Sequence, residues 1–181
     1  MATAPTTCDL RWLITPAMVK LERRDQLVAC WRDVSNAGGA VGFPFLPVSD
    51  EQVLPAVEAM TQSLDPSLNR LLLATVGDAV AGWLLLAGNS SPLTAHWARV
   101  LRVQTALKYR GTGVGRALMS EVARAAREDV DLEHLHLELR AGLGLEAFYR
   151  SLGWREIGRW PAALRLPGHD RDEVLMFLPL R

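Results

Sequence analysis

The chain has 181 residues, 49% of them hydrophobic and 22% charged, the ordinary balance of a soluble globular protein and enough for one domain with a sizeable core. Lysine plus arginine equals aspartate plus glutamate at 20 each, so net charge favours neither nucleic acid nor an anionic membrane as partner, and any phosphate site must be local. Cys8 and Cys30, with no CxxC and no histidine pair nearby, indicate neither a zinc site nor a disulfide framework.

Residues 1–8 read as a flexible N-terminus lacking the basic and apolar regions of a secretory signal. The longest apolar stretch, residues 79–88, is far short of the roughly 20 residues a membrane helix needs, so a cytoplasmic protein is expected. Residues 9–14 form a plausible first strand, and Thr15-Pro16 reads as the N-cap and first residue of a helix. Leu21, Leu27, Val28 and Trp31 would supply its buried stripe, and Gly38-Gly39 would end it. Residues 40–47 are apolar but broken by Gly42, Pro44 and Pro47, which suits either a structural lid or a pocket lining. Ser49, three residues before Gln52, opens a second helix by a capping box and carries it to about Leu64.

Residues 70–76 and 79–86 read as a hairpin of buried strands around Gly77-Asp78, and residues 96–106 as another strand. A helix over residues 113–128 buries Leu118, Val122 and Ala125. In residues 132–140, leucines alternate with charged or imidazole groups, the pattern of a strand with one apolar face. A short helix over residues 143–152 is closed by Gly153, and strands follow from Trp154 to Gly158 and from Asp172 to Leu180. Without repeats or linkers, residues 9–181 constitute one mixed α/β domain.

The organising stretch is the loop from Lys108 to Arg116, which carries Gly111, Gly113 and Gly115 where a strand turns into a helix. A helix N-terminus has roughly +0.5 charge and four unpaired N–H groups, and glycines let the backbone wrap an anion. Lys108, Arg110 and Arg116 add cations. A P-loop is excluded because Gly115 is followed by Arg116 and Ala117 rather than by Lys and Ser or Thr. A dinucleotide fingerprint is excluded because these glycines have single-residue spacing.

Arg110-x-x-Gly113-x-Gly115 resembles the R/Q-x-x-G-x-G/A signature of the GNAT superfamily of N-acetyltransferases. The stretch Glu146-Ala147-Phe148-Tyr149-Arg150-Ser151-Leu152-Gly153-Trp154 is similar to that family's tyrosine-bearing helix and the turn after it. The resemblance is detailed over residues 104–157 and follows the order of elements along nearly the whole chain. It implies a mostly antiparallel mixed sheet of about seven strands, splayed between the fourth and fifth, with about four flanking helices. It also implies acetyl-CoA as acyl donor and no metal. By this resemblance Val103, Gln104 and Thr105 would offer backbone groups to the pantetheine arm. Arg110, Gly111, Thr112, Gly113, Val114, Gly115 and Arg116 would hold the pyrophosphate, and Tyr149 would protonate the departing thiolate. Where the family often has an asparagine, this chain has Gly142, so that cofactor contact is replaced or missing.

A base is needed as well, because a protonated amine cannot attack. His134, His136 and Glu138 share one strand face and are candidates for a base or proton relay, His136 and Glu138 foremost. Asp172, Glu173 and Glu146 are weaker candidates, and Glu146 has an alternative partner in Arg150 at i, i+4. The reading is acetyl transfer to a primary amine of a small molecule, in the manner of enzymes that inactivate amine-bearing toxins or antibiotics. The acceptor pocket would lie under the loop of residues 38–47 and the last two strands. A non-catalytic acyl-CoA-binding module and a protein acetyltransferase are the alternatives, and a homodimer is left open.

Overall fold

Strands form wherever apolar residues alternate with polar ones or run continuously, and helices wherever the apolar period lengthens. In the computed structural model, which describes residues 7–39 and 42–181, the strands are β1 (Asp9–Leu13), β2 (Asn69–Val76), β3 (Ala79–Ala87), β4 (Trp97–Thr105), β5 (His134–Arg140), β6 (Arg155–Leu166) and β7 (His169–Pro179). The helices are α1 (Leu21–Asn36), α2 (Asp50–Gln62), α3 (Val114–Glu128) and α4 (Leu145–Arg150), with 3₁₀ turns at Pro16–Met18 and Leu107–Tyr109. The expectations for residues 1–6 and for Ala40 and Val41 fall outside the described residues.

The strands make one seven-stranded sheet of order β1-β2-β3-β4-β5-β7-β6. All neighbours are antiparallel except β4 and β5, which run parallel. One face is covered by α1 and α2, where Leu27, Trp31, Val53 and Val57 bury against Leu71, Leu73, Trp83 and Leu85. The other is covered by α3 and α4, where Leu118, Val122 and Tyr149 bury against Leu72, Leu84, Leu135 and Leu137. The mixed, splayed sheet and its four helices match the fold expected from the resemblance.

The parallel pair sets up the site. Its register runs only through Trp97–His134, Ala98–Leu135 and Arg99–His136. Beyond these pairs the two strands separate, and their facing backbone groups no longer have a strand partner. The cause lies on the other edge of β4, where the β3–β4 register shifts between Trp83 and Leu85 and Arg102 takes a φ of 55°. Such a bulge bends and twists the strand that carries the extra residue.

Three expectations are corrected. Thr15-Pro16 starts only the 3₁₀ turn; the chain is extended at Lys20 (ψ 155°) and α1 begins at Leu21, which as the first helical residue stays 64% exposed instead of joining the stripe. The last two strands are longer than read, because β6 and β7 continue past Trp160 as a bulged hairpin. Glu146 does not pair with Arg150, which reaches Glu156 at 2.9 Å, and Glu156 also accepts from Arg159. The Ser49 capping box forms as expected, with the Ser49 N–H donating to Gln52 Oε1 at 2.9 Å.

Candidate active site

The glycine loop delivers the open helix end that its composition suggests. Gly113 is the N-cap of α3 with a φ of 97° and no side-chain cap. The helical ladder starts with the Ala117 N–H donating to Gly113 O at 2.9 Å, so the N–H groups of Val114, Gly115 and Arg116 lie ahead of it. The loop is held from behind: the Thr112 N–H and Thr112 Oγ1 both bond to Tyr109 O, and the Tyr109 N–H bonds to Ala106 O. Gly115 permits the close approach of three elements, since a Cβ there would lie 3.3 Å from Thr105 Oγ1 and 3.6 Å from Phe148 Cζ.

In front of this helix end, a cleft of about 680 Å³ passes between the separated ends of β4 and β5. It is lined by Val103, Gln104, Thr105, Arg110, Gly111, Gly113, Gly115, Arg116, Glu138 and Tyr149 among others, so most of the expected site residues come together. Thr112 and Val114 stand behind the wall, Val114 buried in the core beneath α3. The C-terminal end of α1, with Val34 to Gly39, closes one side, but among the described residues none from β6 or β7 lines the cleft. The roof expected from the last two strands is therefore not part of its wall.

Strand alternation divides the cleft into two halves. Val103, Leu137, Leu139 and Tyr149 belong to the α3 and α4 side of the sheet. Arg102 packs on Trp31 of α1, and Glu138 and Arg140 alternate with Leu137 and Leu139, which places them on the α1 side. Gln104 pairs with Trp83 on that side and is 1% exposed, with neither side-chain amide atom hydrogen-bonded. A buried amide left with both ends unpaired is costly unless a ligand completes it. This residue was expected to act through its backbone alone, and nothing local in the sequence signals that its side chain is buried unpaired.

Tyr149 projects from α4 into the core at 6% exposure, with its ring 5.1 Å from Phe148 and 6.1 Å from Trp154. Burial pushes its phenol up to about 12. Glu138 is exposed on the opposite wall, and Glu173 is raised above the ordinary carboxylate range by burial and then by the Glu138 charge. Glu173 therefore holds a proton more readily than a free carboxyl. Asp172 is otherwise engaged, its Oδ1 accepting from the Ala162 N–H at 3.0 Å.

His136 lies on the same face as Glu138 but outside the cleft wall, in a ring cluster with Trp97 at 4.8 Å, His134 at 5.0 Å and Phe177 at 5.4 Å. Burial, then the neighbouring His134, lowers its pKa, which favours the neutral, proton-accepting form at pH 7. At the outer end of this cluster, His96, Glu133 and His134 bring ligand atoms within 4.8 Å of one another, a set able to hold a metal ion at the surface.

A family model described as Acetyltransferase (GNAT) domain matches residues 47–161, more than half of the chain. The chain belongs to the GNAT acetyltransferases. Its fold is shared with solved acetyltransferases. A ribosomal-protein-alanine N-acetyltransferase from Brucella melitensis is 22% identical with a TM-score of 0.72, over 94% of this chain and 99% of its own. YncA of Salmonella typhimurium, whose structure includes its cofactor acetyl-CoA, is 16% identical with a TM-score of 0.74, over 97% of this chain and 95% of its own. An N-acetyltransferase from Staphylococcus aureus Mu50 is 12% identical with a TM-score of 0.75, over 97% and 99%. No helix of this GNAT domain, among the described residues, is long and apolar enough to cross a membrane.

Arg116, in the first turn of α3, has its Nη2 only on Ser151 Oγ at 3.2 Å and lines the cleft. A cation at a helix N-terminus is unfavourable without an anion to answer it. If it meets a cofactor phosphate in both ground and transition states, Arg116→Ala raises the Michaelis constant for acetyl-CoA roughly five- to tenfold and changes turnover little. Steady-state kinetics with acetyl-CoA and its dephospho form would check this, and an unchanged constant would return Arg116 to the surface.

Proposed function

We propose that this acetyltransferase moves acetyl from acetyl-CoA to a primary amine of a small molecule, by direct attack in a ternary complex. The observation that carries the reading is the cleft between β4 and β5, which joins an uncapped helix N-terminus on one side of the sheet to a polar chamber on the other.

The residues present fit the cofactor. The N–H groups of Val114, Gly115 and Arg116, with Arg110 and the Gly111 to Gly113 backbone, would hold its pyrophosphate. The unpaired facing edge of β4 at Val103 to Thr105 would take its amide-bearing arm. Acetyl-CoA supplies an acyl group already activated as a thioester. Glu138, with Glu173 or through His136, takes a proton from the acceptor ammonium so that its nitrogen lone pair can form the new C–N bond. Tyr149 would give its hydroxyl proton to the sulfur as the C–S bond breaks, and the second proton that the nitrogen sheds on becoming an amide would restore it through solvent. No covalent enzyme intermediate is needed.

Released thiol measured against a panel of amines, amino acids, polyamines and aminated antibiotics tests the reading. Acetyl-dependent turnover with at least one small amine is the expected result. Tight acetyl-CoA binding without any turnover would favour a non-catalytic acyl-CoA-binding module, and turnover confined to peptides would favour a protein acetyltransferase.

A further inference from the structure

The α1 half of the cleft carries two arginines, Arg102 and Arg140, that form no ion pair with a carboxylate among the described residues. The β4 bulge turns Arg102 toward α1 at a φ of 55°, a left-handed conformation that an arginine adopts only against strain. Its guanidinium lies 4.6 Å from the Trp31 ring centroid. A guanidinium seated over a ring still presents its N–H donors in its own plane, the arrangement that receives a carboxylate in bidentate fashion. Gly42 lies alongside, where a Cβ would come within 2.9 Å of Arg102 Nη1. Burial alone accounts for the lowered pKa of Arg102, with no carboxylate contributing.

Arg140, on the same half of the cleft, repeats the situation. Its Nε is buried without a hydrogen-bond partner among the described residues, and its pKa is lowered by burial and then by the charge of Arg171, another cation. Six arginines outside the cleft, Arg24, Arg32, Arg124, Arg150, Arg159 and Arg165, each rest on a carboxylate. Among the described residues, the same chamber is lined by one carboxylate, Glu138, and by the unpaired Gln104 amide, which offers a donor and an acceptor together.

We propose that the acceptor is a small molecule bearing both a primary amine and a carboxylate, an amino-acid-like zwitterion whose carboxylate is received by Arg102, with Arg140 adding charge, and whose ammonium faces Glu138. This rests on the transferase reading above. A peptide α-amine would leave the arginines unanswered, because the carbon beside it carries an amide instead of a carboxylate. A polyamine would meet only repulsion from them.

The test pairs L-amino acids, and β- and γ-amino acids, with their carboxamides in the thiol-release assay. For the preferred acceptor, wild-type kcat/KM exceeds that of its carboxamide by ~10²-fold or more, the scale expected when a site built for a charged hydrogen bond meets a neutral analogue. Arg102→Gln brings the two within several-fold by raising the acceptor KM, leaves the acetyl-CoA KM unchanged, and is partly rescued by Arg102→Lys. Equal rates on acid and amide in wild type, or an Arg102→Gln that slows both alike, would overturn the proposal. If no acceptor releases thiol, calorimetric titration of the same pairs into CoA-saturated protein separates the two readings. Carboxylate-selective binding that is lost in Arg102→Gln keeps the ligand class and removes the transferase, whereas no selective binding removes this inference.

Discussion

Tyr149→Phe is expected to lower turnover by ~10²-fold or more while leaving stability and acetyl-CoA affinity nearly unchanged. The substitution keeps the ring that packs against Phe148 and Trp154 and removes only the hydroxyl. Expulsion of a thiolate is easier when a positioned donor supplies a proton as the carbon–sulfur bond breaks. The surroundings that push the phenol up to about 12 also disfavour a bare thiolate, raising its basicity, so the two remain matched for proton transfer. The same shift keeps Tyr149 protonated across the whole physiological range, so a basic limb in the pH–rate profile would belong to another group. Turnover should be compared at saturating acetyl-CoA in variants whose melting temperatures agree. Wild-type turnover in a folded Phe variant would mean that solvent or another residue protonates the sulfur and that Tyr149 is there for packing.

Elements whose cause is local were readable from the chain. The leucines of β5 alternate because one face is buried, and Gly111, Gly113 and Gly115 mark a loop at a helix start, although Gly113 itself is the left-handed N-cap with a φ of 97° and not the first helical residue. Arg102 shows where such reading stops. Its left-handed backbone has no sequence signature, and it follows from how β3 and β4 register against each other, which depends on residues far apart in the chain. The bulge determines which side chains enter the α1 half of the cleft, so Arg102 and the Gln104 amide stayed hidden, while the glycine loop, whose signal is local, did not. The far end of the β6–β7 hairpin was also illegible, because residues 159–163 of β6 are exposed on both faces and leave no alternation to detect. Thr15-Pro16 is a true helix-start signal, but the structure uses it on a single 3₁₀ turn.

Gly113→Val should weaken acetyl-CoA binding by about 2 kcal/mol or more, roughly 30-fold, through two effects that act at the same residue. At a φ of 97° a β-branched side chain is strained, so the loop relaxes toward negative φ and turns the N–H groups of Gly113 and Val114 away from the anion they would meet. The added methyls also crowd the approach that a bare backbone leaves open. Neither effect reaches the buried stripe of α3, Leu118, Met119 and Val122, so the domain should still fold, with a melting temperature lowered by the loop strain alone. Calorimetric titration of acetyl-CoA into the folded variant measures the loss directly. A parallel titration with a pantetheine thioester that lacks the phosphates identifies its origin: affinity for this shorter ligand should be the same in wild type and variant, because it never meets the helix N-terminus. Undiminished acetyl-CoA affinity in the variant, or an equal loss for both ligands, would contradict the assignment of this loop to the pyrophosphate.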